Sequence, residues 1–132
     1  MTSNPLRILI GDDDPIIRMD LKQMLNEAGY DVVAEAEDGS QAVELARQLK
    51  PDVLILDIKM PEMDGKEFYR ICISERPEYK DRFIFSSGDT ASRQTHEFLE
   101  NTHCEVLLKP FSSAQLLAAI NRTHIEREVE EE

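Results

Sequence analysis

The sequence predicts an α/β domain whose parallel sheet carries helices on both faces. Short apolar, β-rich runs alternate along the chain with longer stretches whose apolar residues recur at helical spacing, the mark of parallel strands joined by crossover helices. The 132 residues are the size of one domain with a core that needs no covalent staples. A hydrophobic share of 41% beside 32% charged residues is that of a globular chain rather than a disordered or membrane-embedded one.

The first strand is read at "RILI" from Arg7. Ile17, Leu21, Met24, Leu25 and Ala28 then share one helical face, on a helix begun near Pro15 and stopped by Gly29. "VVAEA" at Val32 is the second strand. Ala42, Val43, Ala46 and Leu49 make the second helix, begun near "DGS" and ended before Pro51, since a residue preceding proline avoids the helical region. "VLIL" at Val53 is the third strand, and Phe68, Ile71 and Cys72 mark a third helix closed by "ERPEYKD". "FIFS" at Phe83 is the fourth strand; the helix after it, around Gln94 to Leu99, has the fewest apolar positions. "EVLL" at Glu105 is the fifth strand. The last helix starts from a Ser112 or Ser113 cap, runs through Leu116, Leu117 and Ile120, and passes into "EREVEEE", which reads as a solvated helix end. One domain over residues 1–125 and an acidic tail over 126–132 follow.

Composition narrows the function. A net charge of −12 repels a phosphate backbone, so a protein partner is expected rather than nucleic acid. No apolar run approaches the length of a membrane span, and "MTSNPLR" lacks the basic-then-apolar pattern of a secretory signal, so a cytoplasmic address is expected. Cys72 and Cys104 have neither metal-ligand nor disulfide-framework spacing and read as small buried side chains.

In an open parallel sheet, ligands bind beyond the carboxyl ends of the strands. That rule gathers Asp12, Asp13 and Asp14 after the first strand, Asp57 after the third, Ser87 and Asp89 after the fourth, and Lys109 after the fifth. Two carboxylates roughly 4 Å apart repel by about 4 kcal/mol at an effective dielectric near 20, so packed acids need a cation. No G-x-G-x-x-G follows the first strand, and neither G-x-x-x-x-G-K-[ST] nor G-x-S-x-G occurs. A carboxylate pocket with one lysine remains, and hard oxygen donors of that kind suit Mg²⁺.

The motifs "ILIGDDD", "LILDIKMPEMDG", "FSSG" and "LLKPF", in this order and at strand ends from Leu6 to Asn121, resemble the receiver domains of two-component response regulators. The resemblance implies a flavodoxin-like (βα)5 three-layer sandwich with a five-stranded parallel sheet of order 2-1-3-4-5. It implies that Asp57 is the phospho-acceptor, taking a phosphoryl group from a phosphohistidine on a sensor histidine kinase or histidine phosphotransfer protein in a Mg²⁺-dependent reaction. Asp12 and Asp13 match the metal-binding acids, Asp13 as direct ligand and Asp12 through water, with Asp57 and the Lys59 backbone carbonyl completing the protein's share. Lys109 matches the lysine that pairs with phosphoryl oxygens, and Lys109–Pro110 is expected to be cis. Ser87 matches the switch hydroxyl, with Ser86 on the opposite face. Asp14 has no counterpart and is assigned to the start of the first helix.

The resulting expectation is a signalling switch read by an effector protein or a second copy, not an enzyme that turns over a small molecule. A haloacid-dehalogenase-like hydrolase would need an acid where Lys59 stands, and a receiver that is never phosphorylated would lack one of the acids or the lysine. One position departs from the family: Val106 stands where many receivers carry Tyr or Phe, which puts aromatic-coupled switching in question. A bridge between Lys59 and Asp89 across the pocket mouth is a further expectation. His96, His103 and His124 read as loop and surface residues, while Phe98 and Leu99 fit either an interface or the core. No output domain follows Asn121, which fits a free-standing receiver or a piece of a hybrid kinase or longer regulator.

Overall fold

The computed structural model describes residues 5–59, 65–88, 93–102 and 104–131. Strands β1 (Arg7–Gly11), β2 (Asp31–Ala36), β3 (Val53–Asp57), β4 (Phe83–Ser87) and β5 (Glu105–Leu108) form one parallel sheet in the order β2-β1-β3-β4-β5. Helices α1 (Pro15–Glu27), α2 (Gly39–Leu49), α3 (Gly65–Glu75), α4 (Arg93–Thr102) and α5 (Ser113–Glu131) alternate with them, and a 3-10 turn at Pro77–Asp81 leads into β4. This is the flavodoxin-like arrangement, with every expected strand and helix present.

Local chemistry sets the helix ends. Asp14 caps α1 by accepting the Ile16 N–H at 2.9 Å, with Pro15 filling the first helical position. Gly29 follows at φ 91°, a conformation that strains any residue with a Cβ. Asp38 caps α2 through the Gln41 N–H at 2.8 Å, and the helix stops at Leu49. Lys50, before Pro51, leaves the right-handed region for φ 48°, ψ 63°. Ser112 proves to be the α5 cap, its Oγ accepting the Gln115 N–H at 3.1 Å. The backbone of α5 continues through residues 126–131, so the acidic segment extends the helix.

Strand alternation divides the core into two layers. Ile8, Ile10, Val53, Ile55, Ile84 and Leu107 pack with α1 and α5 through Leu21, Leu25, Leu116 and Ile120. Leu9, Leu54, Leu56, Phe83 and Phe85 pack with α2 and α3 through Ala42, Val43, Phe68, Tyr69 and Cys72. Because β3 is covered on both sides, all five of its residues are buried, Asp57 included. A short polar-ended strand in the middle of the sheet therefore delivers one carboxylate from the core to the sheet's edge.

Two readings of the sequence need correction. Cys72 is buried, and burial pushes its thiol up to about 12, which leaves it inert near neutrality. Cys104 is only half-buried, because it precedes the edge strand β5 rather than lying inside the sheet. Ala28 does not join the buried face of α1; it is the exposed cap residue whose N–H bonds the Met24 carbonyl. The question about Phe98 is answered by contact: its ring stands edge-on to Tyr69 at 5.5 Å and Phe85 at 5.4 Å, anchoring α4 to the core. Asp89 and His103 lie outside the described residues, as do the side chains of His96, Leu99 and His124.

Candidate functional site

The carboxyl edge of the sheet assembles the site from three elements. β1 ends at Gly11 and turns directly into Asp12, whose N–H donates to the Ala36 carbonyl at 3.1 Å on the adjacent strand. Asp12 is fully buried, and its Oδ1 accepts the Asp14 N–H at 2.9 Å. β3 ends at Asp57, whose Oδ1 accepts the Lys59 N–H at 3.2 Å. From the end of β5, the Lys109 ammonium reaches between the two acids, 2.8 Å from Asp12 Oδ2 and 3.0 Å from Asp57 Oδ2. The Lys109–Pro110 bond is cis, as expected.

Asp13 completes the cluster from an exposed position. Asp12, Asp13 and Asp57 each bring a carboxylate oxygen within 4.8 Å of the others. Burial raises the Asp57 carboxyl above its ordinary pKa, and the Asp12 charge adds to that, while the Lys59 N–H and the Lys109 ammonium pull it back. Burial works against the Lys109 charge, but hydrogen bonds and attraction from Asp12 and Asp57 outweigh it and hold Lys109 above an ordinary lysine. One ammonium therefore balances an acid cluster that carries more negative charge than it can neutralise. Hard oxygens converging with charge left over are a donor set for a divalent cation such as Mg²⁺.

β4 supplies the remaining residues. Ser86 pairs with Asp57 across the ladder, and Ser87 stands one step beyond it, nearly fully buried. Alternation along β4 puts Ser86 on the face of Ile84 and Ser87 on the face of Phe83 and Phe85. The Ser87 carbonyl accepts the Lys109 N–H at 2.9 Å. A Cβ built on Gly88 would lie 3.9 Å from Lys109 Cδ, so the backbone at Gly88 passes close to the lysine stem. Val106 pairs with Phe85 and is half-buried.

Residues 8–121 match the family of response regulator receiver domains. The chain belongs to that family. It is 38% identical over 121 residues to the chemotaxis protein CheY of Bacillus subtilis, covering 89% of this chain and 96% of CheY. It is 42% identical over 117 residues to the transcriptional regulatory protein PdtaR of Mycobacterium tuberculosis, covering 88% of this chain. The chain spans 55% of the length of PdtaR. A CheY-like receiver domain from Methanospirillum hungatei superimposes with a TM-score of 0.85 at 30% identity, over 96% of this chain and 98% of that one.

As a receiver, the chain is a signalling domain of two-component systems, and receivers bind Mg²⁺ at an acidic pocket of the kind that Asp12, Asp13 and Asp57 form. Sequence reading brought Asp12, Asp13, Asp57 and Lys109 to one place, and they are together. It separated Asp14, which indeed turns away to cap α1. It missed Arg18, whose Nη1 donates to the Asp12 main-chain carbonyl at 2.5 Å. The signal available was position alone: Arg18 sits one turn after the cap, on the helix that leaves the acidic loop. Among the described residues, no helix is long and apolar enough to cross a membrane.

Proposed function

We propose that Asp57 accepts a phosphoryl group from a phosphohistidine on a sensor histidine kinase or histidine phosphotransfer protein, and that the phosphorylated form is read by an effector protein or a second copy of the chain. The observation that carries this reading is the Asp57 carboxylate at the end of a central strand, 3.0 Å from the Lys109 ammonium and grouped with Asp12 and Asp13. A carboxylate oxygen of Asp57 attacks the phosphorus, the phosphorus–nitrogen bond breaks with its electron pair left on the imidazole, and an acyl phosphate results. Asp12, Asp13 and Asp57, with the Lys59 carbonyl, would hold Mg²⁺. When bound, the cation supplies positive charge against the phosphoryl oxygens. Lys109, kept charged by its acid partners, is placed to follow those oxygens, and Ser87 supplies the hydroxyl that turns toward them. The gain of about −1.5 to −2 in charge shifts the population between two conformations. Return to the resting state is hydrolysis that the receiver itself catalyses, so the reaction is signalling rather than turnover of a metabolite.

The donor approaches along α1. Ile16 and Met19, three residues apart on α1, are 69% and 67% exposed, which leaves two large apolar side chains available to a docking partner. On the same helix, a groove of about 360 Å³ is lined by Ile17, Asp20, Met24, Pro110 and Phe111, and by Lys109 itself. The groove thus reaches the lysine that pairs with Asp57. Residues 1–125 form the receiver and 126–132 an acidic extension, acting in the cytoplasm.

Intact-protein mass spectrometry after incubation with acetyl phosphate and Mg²⁺ tests the acceptor. The parent chain should gain one phosphoryl group and Asp57→Asn none. A parent that stays unmodified, or a variant modified as fully as the parent, overturns the assignment.

A further inference from the structure

Arg18 belongs to α1, yet its side chain is only 13% exposed, against 48% for Arg47 and 55% for Arg122. Its guanidinium is divided among three groups. Nη1 donates to the Asp12 carbonyl at 2.5 Å, Nε lies 3.6 Å from Glu35, and Nη2 lies 3.9 Å from Glu37. Lys22, one turn on, takes the other Glu35 oxygen at 3.2 Å. A planar fork with fixed donor directions holds several acceptors at once in a way a flexible ammonium does not.

The Asp12 carbonyl is part of the peptide that joins Asp12 to Asp13. The other attachments of Asp12 are made elsewhere: its N–H to Ala36, its carboxylate to the Asp14 N–H and to Lys109. With the carbonyl also held, the peptide plane between the two acids is anchored at its Asp12 end, beside an Asp12 residue already fixed by its N–H and carboxylate. Asp13 is exposed, and none of the described hydrogen bonds reaches its carboxylate. Among the described residues, no side chain holds it, and the backbone aims it at the site.

We propose that Arg18 is a positioning residue for Mg²⁺: by gripping the Asp12–Asp13 peptide from α1, with Glu35 and Glu37 steadying the guanidinium, it points the Asp13 carboxylate at the oxygens of Asp12 and Asp57. The proposal rests on the metal-dependent acceptor reading and deepens it. Mg²⁺ demands near-ideal octahedral geometry, whereas Ca²⁺ tolerates irregular ligands. Misaiming Asp13 should therefore weaken Mg²⁺ more than Ca²⁺.

Charge and geometry make opposite predictions, which gives the test its force. Removing a cation near the site, considered as charge alone, draws a divalent ion in more tightly. Loss of positioning weakens it, by about tenfold for an outer contact of this kind. Titrating the full chain with Mg²⁺ and with Ca²⁺, followed by the backbone amide resonances of residues 12–14 and 57–59, separates the two. Arg18→Met should bind Mg²⁺ about tenfold more weakly and Ca²⁺ with a smaller loss. Arg18→Lys, which keeps the charge without the fork, should lose Mg²⁺ affinity in the same direction and serves if Arg18→Met does not fold. Unchanged or tighter Mg²⁺ binding, an equal loss for both ions, or a parent chain without Mg²⁺ affinity overturns the proposal. A parent that binds Mg²⁺ but takes no phosphoryl group from acetyl phosphate overturns the acceptor reading instead and leaves Arg18 its role.

Discussion

Replacing Lys109 with methionine keeps most of the side-chain stem and removes the ammonium that lies 2.8 Å from Asp12 and 3.0 Å from Asp57. Two carboxylates then face each other without a counter-charge, one with a side chain 1% exposed and the other 10%. With oxygens within 4.8 Å and an effective dielectric near 20, their repulsion is about 3.5 kcal/mol. The measured cost of breaking a buried pair from one side, about 3–5 kcal/mol, agrees with that figure. The penalty depends on pH with a definite sign. Burial already raises the Asp57 pKa above its unfolded value, and Lys109 is among the groups holding it down. A carboxyl with a raised folded pKa contributes stability that is fully present below its unfolded pKa and lost as pH rises through the folded one. Without Lys109 the folded pKa climbs further, so the loss should be near 3 kcal/mol around neutrality and smaller at about pH 5. Urea unfolding followed by far-ultraviolet circular dichroism at both values is the assay. A loss under about 1 kcal/mol at neutral pH, or an equal loss at both, would refute the idea that this ammonium offsets the cluster.

Two further predictions bear on how the acidic run and the switch divide their work. Asp14→Ala should cost about 1 kcal/mol of stability by removing the α1 cap, while Mg²⁺ affinity by calorimetric titration stays within about twofold, since an exposed charge outside the ligand set contributes little; a tenfold loss would return Asp14 to the metal site. With Val106 replacing the usual aromatic, activation should act mainly on the loop after β4 and on α4. Amide exchange over residues 88–102 should therefore change on adding beryllium fluoride with Mg²⁺, and equal protection in both states would sink that account.

Much of the fold was legible because it rests on local rules. Ile8, Ile10, Val53 and Ile55 alternate with the opposite-face residues of their strands, and Asp14, Asp38 and Ser112 are cap residues at helix starts. The site acids were legible for the same reason: polar residues directly after apolar strands must lie at the sheet's edge. α4 was faint because most of its residues are polar, and it is tied to the sheet through the Phe98 ring rather than through a long apolar stripe. Cys104 and Ala28 misled because composition registers that a residue is small and apolar, while burial depends on whether it sits on an edge or at a helix end.

The sequence by itself determined the order of strands and helices along the chain and the gathering of Asp12, Asp13, Asp57 and Lys109 at one edge, while the separate duty of Asp14 was implied by the family resemblance. The order and the gathering follow from periodicity, capping and the direction of parallel strands, which act over a few residues. Only the tertiary structure decided that one ammonium bridges Asp12 and Asp57, that burial raises the Asp57 pKa, and that Arg18 holds the peptide between Asp12 and Asp13. These depend on distances of 2.5–3.0 Å between groups as far apart as 97 residues in the chain, and such closeness is fixed by how the layers pack rather than by any neighbouring stretch of sequence.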